Sequence, residues 1–197
     1  MPVRTNREYR SMSAMVPIEE NDYVVEGYAS TFKPYRLLTI DGVDYYEEIG
    51  KNAFDEADMS DVIMQYDHTG KVFARQSNGT LELTVDEHGL KIRADLSKTE
   101  SARELYEEIR AGMITEMSFA FVVAPEGDEY IRDEHKRVIH RVKKVYDVSA
   151  VSRAANPDTA ISARSYFDGV LEIERQELQE AEKRERQKQL IKLLTEV

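Results

Sequence analysis

The sequence predicts an α+β fold with a mixed, mainly antiparallel and barrel-like β core, packed helices and a charged C-terminal helix. Short alternating apolar stretches separated by turn residues outnumber helical patterns up to about residue 165. One capped amphipathic helix interrupts them. From about residue 166, Glu, Gln, Lys and Arg dominate, with apolar residues at helical spacing. We therefore predict a folded domain over residues 1–165 and a helical tail over residues 166–197.

The strand predictions rest on alternation and on turn residues. Residues 80–96 form the clearest hairpin, in which His88-Gly89 occupies the turn. Residues 49–58 are typical of a turn that leads into a short helix. The other predicted strands cover residues 23–32, 61–68, 113–121, 136–142 and 145–152.

The clearest helix lies between the hairpin and the strand at 113–121. Ser97 is the predicted N-cap, with Glu100 three residues later as its capping-box partner. Gly112 suits the position just past the helix end, because glycine accepts positive φ at no steric cost. The apolar face is formed by Ala102, Leu105, Tyr106 and Ile109.

The tail has a different character. Its apolar residues cluster at the two ends of 170–194, and residues 182–189 are entirely polar. A broken apolar heptad does not support an autonomous coiled coil. We therefore predict a long exposed helix, or one that a partner induces.

Composition excludes several classes of function. The chain has no cysteine, which excludes disulfides, thiolate nucleophiles and Cys-ligated zinc. A net charge of -11 argues against nucleic-acid binding as the main task. No apolar run approaches the roughly 20 residues of a membrane span, and the first residues lack a signal core. No phosphate-binding glycine loop and no HExxH pattern occur, so we expect neither cofactor nor metal.

Only one of the four histidines is placed as a catalytic base should be. His68 follows an apolar strand and precedes Thr69-Gly70, and strand ends beside turns often carry functional side chains. The other three are expected in a turn, in a charged loop and on a strand face; they are His88, His135 and His140.

Ser118 is an unusual residue in its strand. It lies among Met117, Phe119 and Phe121, which alternate as one apolar face. The ordinary interpretation is a hydrogen-bonded strand serine, and the alternative is a nucleophile. A nucleophilic serine needs a base within hydrogen-bond reach, and that base needs an acceptor. His68 and Ser118 supply two parts, but periodicity does not select the carboxylate.

An ordered set of motifs makes that selection. "IGKNAF", "YDH", "DEHGLKIRADL", "ARELYEEIRAGMITEMSFAF" and "YDVSAVSRAANPDTAISAR" follow one another along the chain. Together they resemble the HK97-like prohead (capsid maturation) proteases of tailed phages over about residues 8–165. The resemblance implies an assemblin-like fold, related to the herpesvirus assemblins, with a β-barrel-like core surrounded by helices.

The resemblance also assigns residues to roles. It implies that His68 in "YDH" is the base, Ser118 in "MSF" the nucleophile and Asp147 in "YDVSAV" the third member. Glu116 is the fallback for the third member, because residues two apart share a strand face. Arg153 is the expected oxyanion or substrate contact.

The implied activity is serine endopeptidase action without a cofactor. The implied substrates are the major capsid protein and scaffold protein, inside the assembling prohead in the host cytoplasm, and the enzyme is expected to be a homo-oligomer without nucleic-acid or membrane partners. The tail would dock the protease into the shell, or be removed by self-cleavage near "ISARSYF".

Two alternatives stay open. One is a non-catalytic scaffold or capsid-assembly protein that keeps the protease fold. The other is an unrelated β-rich binding module, which a large separation of His68 from Ser118 would favour.

Overall fold

The computed structural model describes residues 7–18, 23–152 and 157–195. In those ranges the chain forms twelve β-strands and two α-helices. The strands are β1 (Glu8–Pro17), β2 (Val24–Thr31), β3 (Tyr35–Ile40), β4 (Val43–Ile49), β5 (Ile63–Tyr66), β6 (Thr69–Arg75), β7 (Leu81–Val85), β8 (Gly89–Asp95), β9 (Glu116–Val123), β10 (Asp128–Ile131), β11 (Lys136–Ile139) and β12 (Val142–Val151). The helices are α1 (Glu100–Arg110) and α2 (Pro157–Thr195).

The strands form two sheets. The larger has eight strands in the order β6-β5-β12-β9-β1-β2-β8-β7, and the smaller has the order β10-β11-β4-β3. All neighbours are antiparallel except β12 with β5 and β11 with β4. The predicted α+β class with mainly antiparallel sheets is therefore confirmed. The predicted barrel-like closure is not found, because β6 and β7 remain separate edges within the described residues.

Strand β1 joins the two halves of the larger sheet. Its first part, from Glu8 to Ala14, pairs with β9, and its last part, from Met15 to Pro17, pairs with β2. A register shift between Ser11 and Ser13 marks an irregularity in the β9 pairing. Such bulges increase local bending, which allows one strand to serve two differently oriented partners.

The core lies against the central strand β9. Met117, Phe119 and Phe121 alternate along it and are fully buried, as the sequence predicts. The rings of Phe119 and Phe121 stack with their centroids 4.6 Å apart. Ala102, Leu105, Tyr106 and Ile109 of α1 are also buried, which confirms the predicted apolar face.

The start of α1 differs from the prediction. Thr99 is the N-cap, and its side chain accepts a hydrogen bond from the Ala102 N–H at 3.1 Å. Ser97 lies two residues earlier, and its carbonyl accepts a hydrogen bond from the Arg103 side chain at 2.6 Å. The end of the helix is as predicted, because Gly112 takes φ 72°.

Two further sequence expectations need correction. Residues 51–56 form hydrogen-bonded turns instead of a short helix, with the Ala53 N–H donating to the Gly50 carbonyl. Five strands were not predicted; they are β1, β3, β4, β6 and β10.

The chain divides into two compact units. One spans residues 6–160, and the described part of the other begins at residue 161. The middle of α2 is exposed and carries ion pairs such as Arg184 with Glu180, four residues apart. This confirms a long exposed helix in the tail, while the domain boundary at residue 165 stays a prediction. No helix in the described ranges has the length and apolar content needed to cross a membrane.

A buried ion cluster links β1 of the larger sheet to three strands of the smaller one. It consists of Glu8, Arg10, Glu47, Asp128 and Arg137. Arg10 bonds to both glutamates, with a distance of 2.7 Å from Nη2 to Glu8 Oε2. Arg137 also bonds to both glutamates, and its Nε lies 2.8 Å from Asp128 Oδ2. Each arginine is only 1% exposed.

Candidate active site

The strand pairing at the centre of the larger sheet places Ser118 beside β12. Ser118 and Ser149 are register partners, and Asp147 is the partner of Ala120. Because side chains alternate along a strand, Ser118, Asp147 and Ser149 lie on the same face of the sheet. That face is opposite to the one formed by Phe119 and its apolar neighbours, which explains why a hydroxyl is tolerated in this strand.

His68 reaches the same face from a tight turn. The β5–β6 hairpin pairs Tyr66 with Thr69, so Asp67 and His68 are its two loop residues. Their φ angles are 46° and 58°, the positive values that two-residue hairpin turns require at both positions. The sequence suggested a strand through His68 and a turn at Thr69-Gly70, so the turn lies two residues earlier than predicted.

Left-handed backbone conformation costs on the order of 1–3 kcal/mol at a residue other than glycine, and surrounding contacts must hold it. Asp67 supplies those contacts. Its N–H donates to the Ala150 carbonyl at 2.9 Å. Its carboxylate accepts hydrogen bonds from the Ser152 N–H at 3.1 Å and the Ser152 hydroxyl at 3.3 Å. The turn that carries His68 is therefore fastened to the end of β12, the strand that carries Asp147.

The imidazole bridges the other two predicted residues. His68 Nδ1 lies 2.5 Å from Asp147 Oδ1, and His68 Nε2 lies 2.6 Å from Ser118 Oγ. A carboxylate only accepts hydrogen bonds, so Nδ1 carries the hydrogen and donates to Asp147. In the neutral ring, Nε2 is then an acceptor, and the Ser118 hydroxyl donates to it. This is the arrangement that proton removal from a serine requires.

Two residues that the sequence did not indicate complete the surroundings. The Ser149 hydroxyl donates to Asp147 Oδ1 at 2.9 Å, and Ser149 is fully buried. The Tyr9 ring lies edge-on to the His68 ring, with 4.6 Å between centroids. Ser149 could have been found from its position two residues after Asp147, but Tyr9 depends on the long-range pairing of β1 with β9. Ser118, His68, Asp147 and Ser149 form the Ser–His–Asp network.

The network is enclosed. Ser118 is 0% exposed, and the side chains of His68 and Asp147 are 4% and 3% exposed. Low polarity around such a group strengthens its hydrogen bonds. A peptide carbonyl can reach the Ser118 oxygen only after the groups that cover it have moved.

Of the remaining predicted residues, Glu116 is not part of the network. Glu116 lies two residues before Ser118 and has no hydrogen bond to His68. Arg153 lies outside the described residues, so its expected contact has no structural description. The other histidines are exposed, and His140 pairs with Glu129. Among the described residues, no cluster of three potential metal ligands occurs.

Comparison with known protein families identifies a match over most of the chain. The model of a family described as caudovirus prohead serine protease matches residues 10–171 of the 197. This range includes every residue of the Ser–His–Asp network. No curated protein and no solved structure matches the chain significantly.

Proposed function

The chain belongs to the caudovirus prohead serine protease family, and on that premise we propose that it is a serine endopeptidase that processes capsid or scaffold proteins during prohead maturation. The supporting observation is the pair of hydrogen bonds through which His68 joins Ser118 to Asp147. The family implies a protease role in phage maturation, and the network supplies residues suited to that chemistry.

Ser118 is the nucleophile in this mechanism. As its oxygen attacks the scissile carbonyl carbon, its proton passes to His68 Nε2. The developing imidazolium keeps its Nδ1 hydrogen bond to Asp147, whose negative charge stabilises it. His68 then gives the proton to the leaving amine, which departs and leaves an acyl group on Ser118.

Deacylation uses the same residues with water as the nucleophile. His68 takes a proton from the water as it attacks the acyl carbon, and returns a proton to the Ser118 oxygen as the acyl bond breaks. Backbone N–H groups stabilise the oxyanion in both steps, and losing one such donor costs about 10² to 10³ in rate. Arg153 stays the predicted side-chain contributor.

The biological setting follows from the family and stays a proposal. The substrates are the major capsid protein and scaffold protein, which the enzyme meets inside the assembling shell in the host cytoplasm. The enzyme acts as a homo-oligomer without a cofactor, and neither nucleic acid nor membrane takes part. The same proposal includes a relation to the assemblin fold. It also includes a tail that docks the protease into the shell or is removed by self-cleavage.

Co-expression with the matching major capsid protein tests the proposed function. Mass spectrometry of the capsid subunit compares the wild type with Ser118→Ala and His68→Ala. We expect a shortened subunit with the wild type and a full-length subunit with both variants. Ser77→Ala, which changes an exposed serine on the same chain, is the control and should process normally.

Two results would contradict the enzyme. One is a full-length subunit in every sample, and the other is equal processing by the wild type and Ser118→Ala. Normal shell assembly with all variants and no Ser118-dependent processing would favour the scaffold alternative.

A further inference from the structure

Glu116 is a partly buried acidic residue that the proposed mechanism does not use. It is the first residue of β9, two positions before Ser118. Alternation places both side chains on the same face, about 7 Å apart along the strand. One carboxylate oxygen, Oε2, is buried and has no hydrogen-bond partner within the described part of the chain.

An unpaired oxygen of this kind is costly. Burying a polar atom without a partner costs about 1–3 kcal/mol, and more when the group is charged. Folded proteins therefore keep few such atoms, and each one calls for an explanation. The strand neighbours give none, because the register partners of Glu116 are Ala14 on β1 and Val151 on β12. Neither residue type has a side-chain donor.

We propose that Glu116 determines substrate specificity by accepting hydrogen bonds from a lysine or arginine side chain next to the scissile bond. This inference rests on the proposed function. A lysine ammonium extends roughly 6 Å from its Cα, which suits an acceptor about 7 Å along the strand from the nucleophile. Hydrogen bonds between charged groups are stronger than those between neutral groups. A bound lysine or arginine would therefore offset the cost of leaving Glu116 Oε2 without a partner.

The charge of the whole molecule supports the same class of substrate. At a net charge of -11, the surface attracts cationic segments and repels acidic ones. Glu116 adds a specific contact to this general attraction. We therefore expect selection at one position of the cleaved sequence, beyond a general preference for basic peptides.

The test uses wild-type full-length protein from the preparation that processes the capsid subunit. Cleavage sites are mapped in a peptide library, and peaks that persist with Ser118→Ala are discarded. We expect Lys or Arg at one position beside the cleaved bond. Two matched peptides then carry either Lys or norleucine at that position, since norleucine has a similar length and no charge.

Glu116→Gln should lower kcat/KM for the Lys peptide on the order of 10²-fold and leave the norleucine peptide within threefold. Glu116→Lys should reverse the preference, so that a Glu peptide is cleaved faster than the Lys peptide. A reversal of this kind cannot result from misfolding. Glu82→Gln, an exposed residue of β7 at the far edge of the sheet, is the matched control and should change neither rate.

The outcomes separate the two proposals. Ser118-dependent cleavage without a basic preference, or an equal loss on both peptides with Glu116→Gln, overturns the role of Glu116 and leaves the protease intact. The absence of any Ser118-dependent cleavage overturns the proposed function, and the role of Glu116 with it.

Discussion

The Ser–His–Asp network and the buried ion cluster are both enclosed polar groups, yet they are built differently. The network holds one imidazole between a hydroxyl and a carboxylate, so a proton can move along it. The ion cluster holds two arginines among three carboxylates, and a guanidinium does not lose its proton in proteins. The geometry of the network is therefore suited to proton transfer, whereas the ion cluster joins one sheet to the other.

Replacing the acid of the network should have the largest effect. In Asp147→Asn, the amide N–H₂ can donate to Nδ1, which moves the imidazole hydrogen to Nε2 and removes the acceptor for the Ser118 proton. We expect kcat/KM for a cleaved peptide to fall about 10⁴-fold. The thermal unfolding transition should show that the variant remains folded.

Asp133→Asn changes an exposed carboxylate and should leave kcat/KM unchanged. A loss of less than tenfold in Asp147→Asn would mean that another carboxylate fills the role. Glu116 would then be the first residue to examine.

Removing one cation from the ion cluster should mainly affect stability. Arg137→Met leaves Glu8, Glu47 and Asp128 facing a single arginine in a buried site. Breaking a buried pair in this way costs about 3–5 kcal/mol of unfolding free energy, which urea denaturation measures. The activity of the molecules that remain folded should change much less.

Arg36→Met is the matched control, since Arg36 is 64% exposed and pairs with Asp44 at 3.7 Å. Exposed pairs contribute about 0–1 kcal/mol. If both variants lost equal stability, the distinction between the cluster and the surface pairs would fail.

Acid should weaken the ion cluster through Glu8. Burial alone would raise the pKa of Glu8, but the Arg10 and Arg137 guanidinium groups outweigh it and lower the pKa to about 2 from 4.5. A lowered folded-state pKa stabilises the protein above pH 4.5, and this contribution is lost as pH falls toward 2. The contribution is roughly 3 kcal/mol.

Unfolding free energies measured from pH 6 down to pH 2 test this. The stability difference between the wild type and Glu8→Gln should shrink by most of that amount over this range. A pH-independent difference would show that the ionised form of Glu8 is not favoured by folding.

Removing the hydroxyl that supports Asp147 should have the smallest effect. Ser149→Ala deletes the donor to Asp147 Oδ1 and leaves the acid and the base in place. We expect kcat to fall on the order of 10-fold with KM nearly unchanged, because the lost hydrogen bond orients the acid without contacting substrate. Single-turnover kinetics would separate the chemical step from binding.

Ser149→Thr keeps a hydroxyl and should recover most of the rate. If Ser149→Ala raised KM and left kcat unchanged, Ser149 would contribute to substrate binding instead of orienting Asp147.

Sequence motifs located the network because each of its main residues lies in a short local pattern. The motifs "MSF", "YDH" and "YDVSAV" contain Ser118, His68 and Asp147, and the structure brings the three together. The sequence predicts the turn two residues too late, because neither Asp67 nor His68 is the glycine that usually marks positive φ. Contacts with Ser152 hold the turn, and local sequence does not reveal them.

The ion cluster could not be predicted from local sequence. Glu8 and Arg137 are 129 positions apart, and the residues around each one do not indicate its partner. The sequence does not predict strand β1 for the same reason, since its buried residues Glu8 and Arg10 carry charges instead of apolar side chains. Ion pairs take the place of apolar contacts at these buried positions, and only the three-dimensional structure shows which residues pair.

Strand β1 carries residues of both polar groups. Tyr9 lies against the His68 ring, while Glu8 and Arg10, on the opposite side of the strand, belong to the ion cluster. An N-terminal deletion that reaches residue 10 would therefore remove the ring that contacts His68. It would also remove two members of the ion cluster that joins the two sheets. Anyone shortening this protein for expression should stop before Glu8, and affinity tags belong ahead of it.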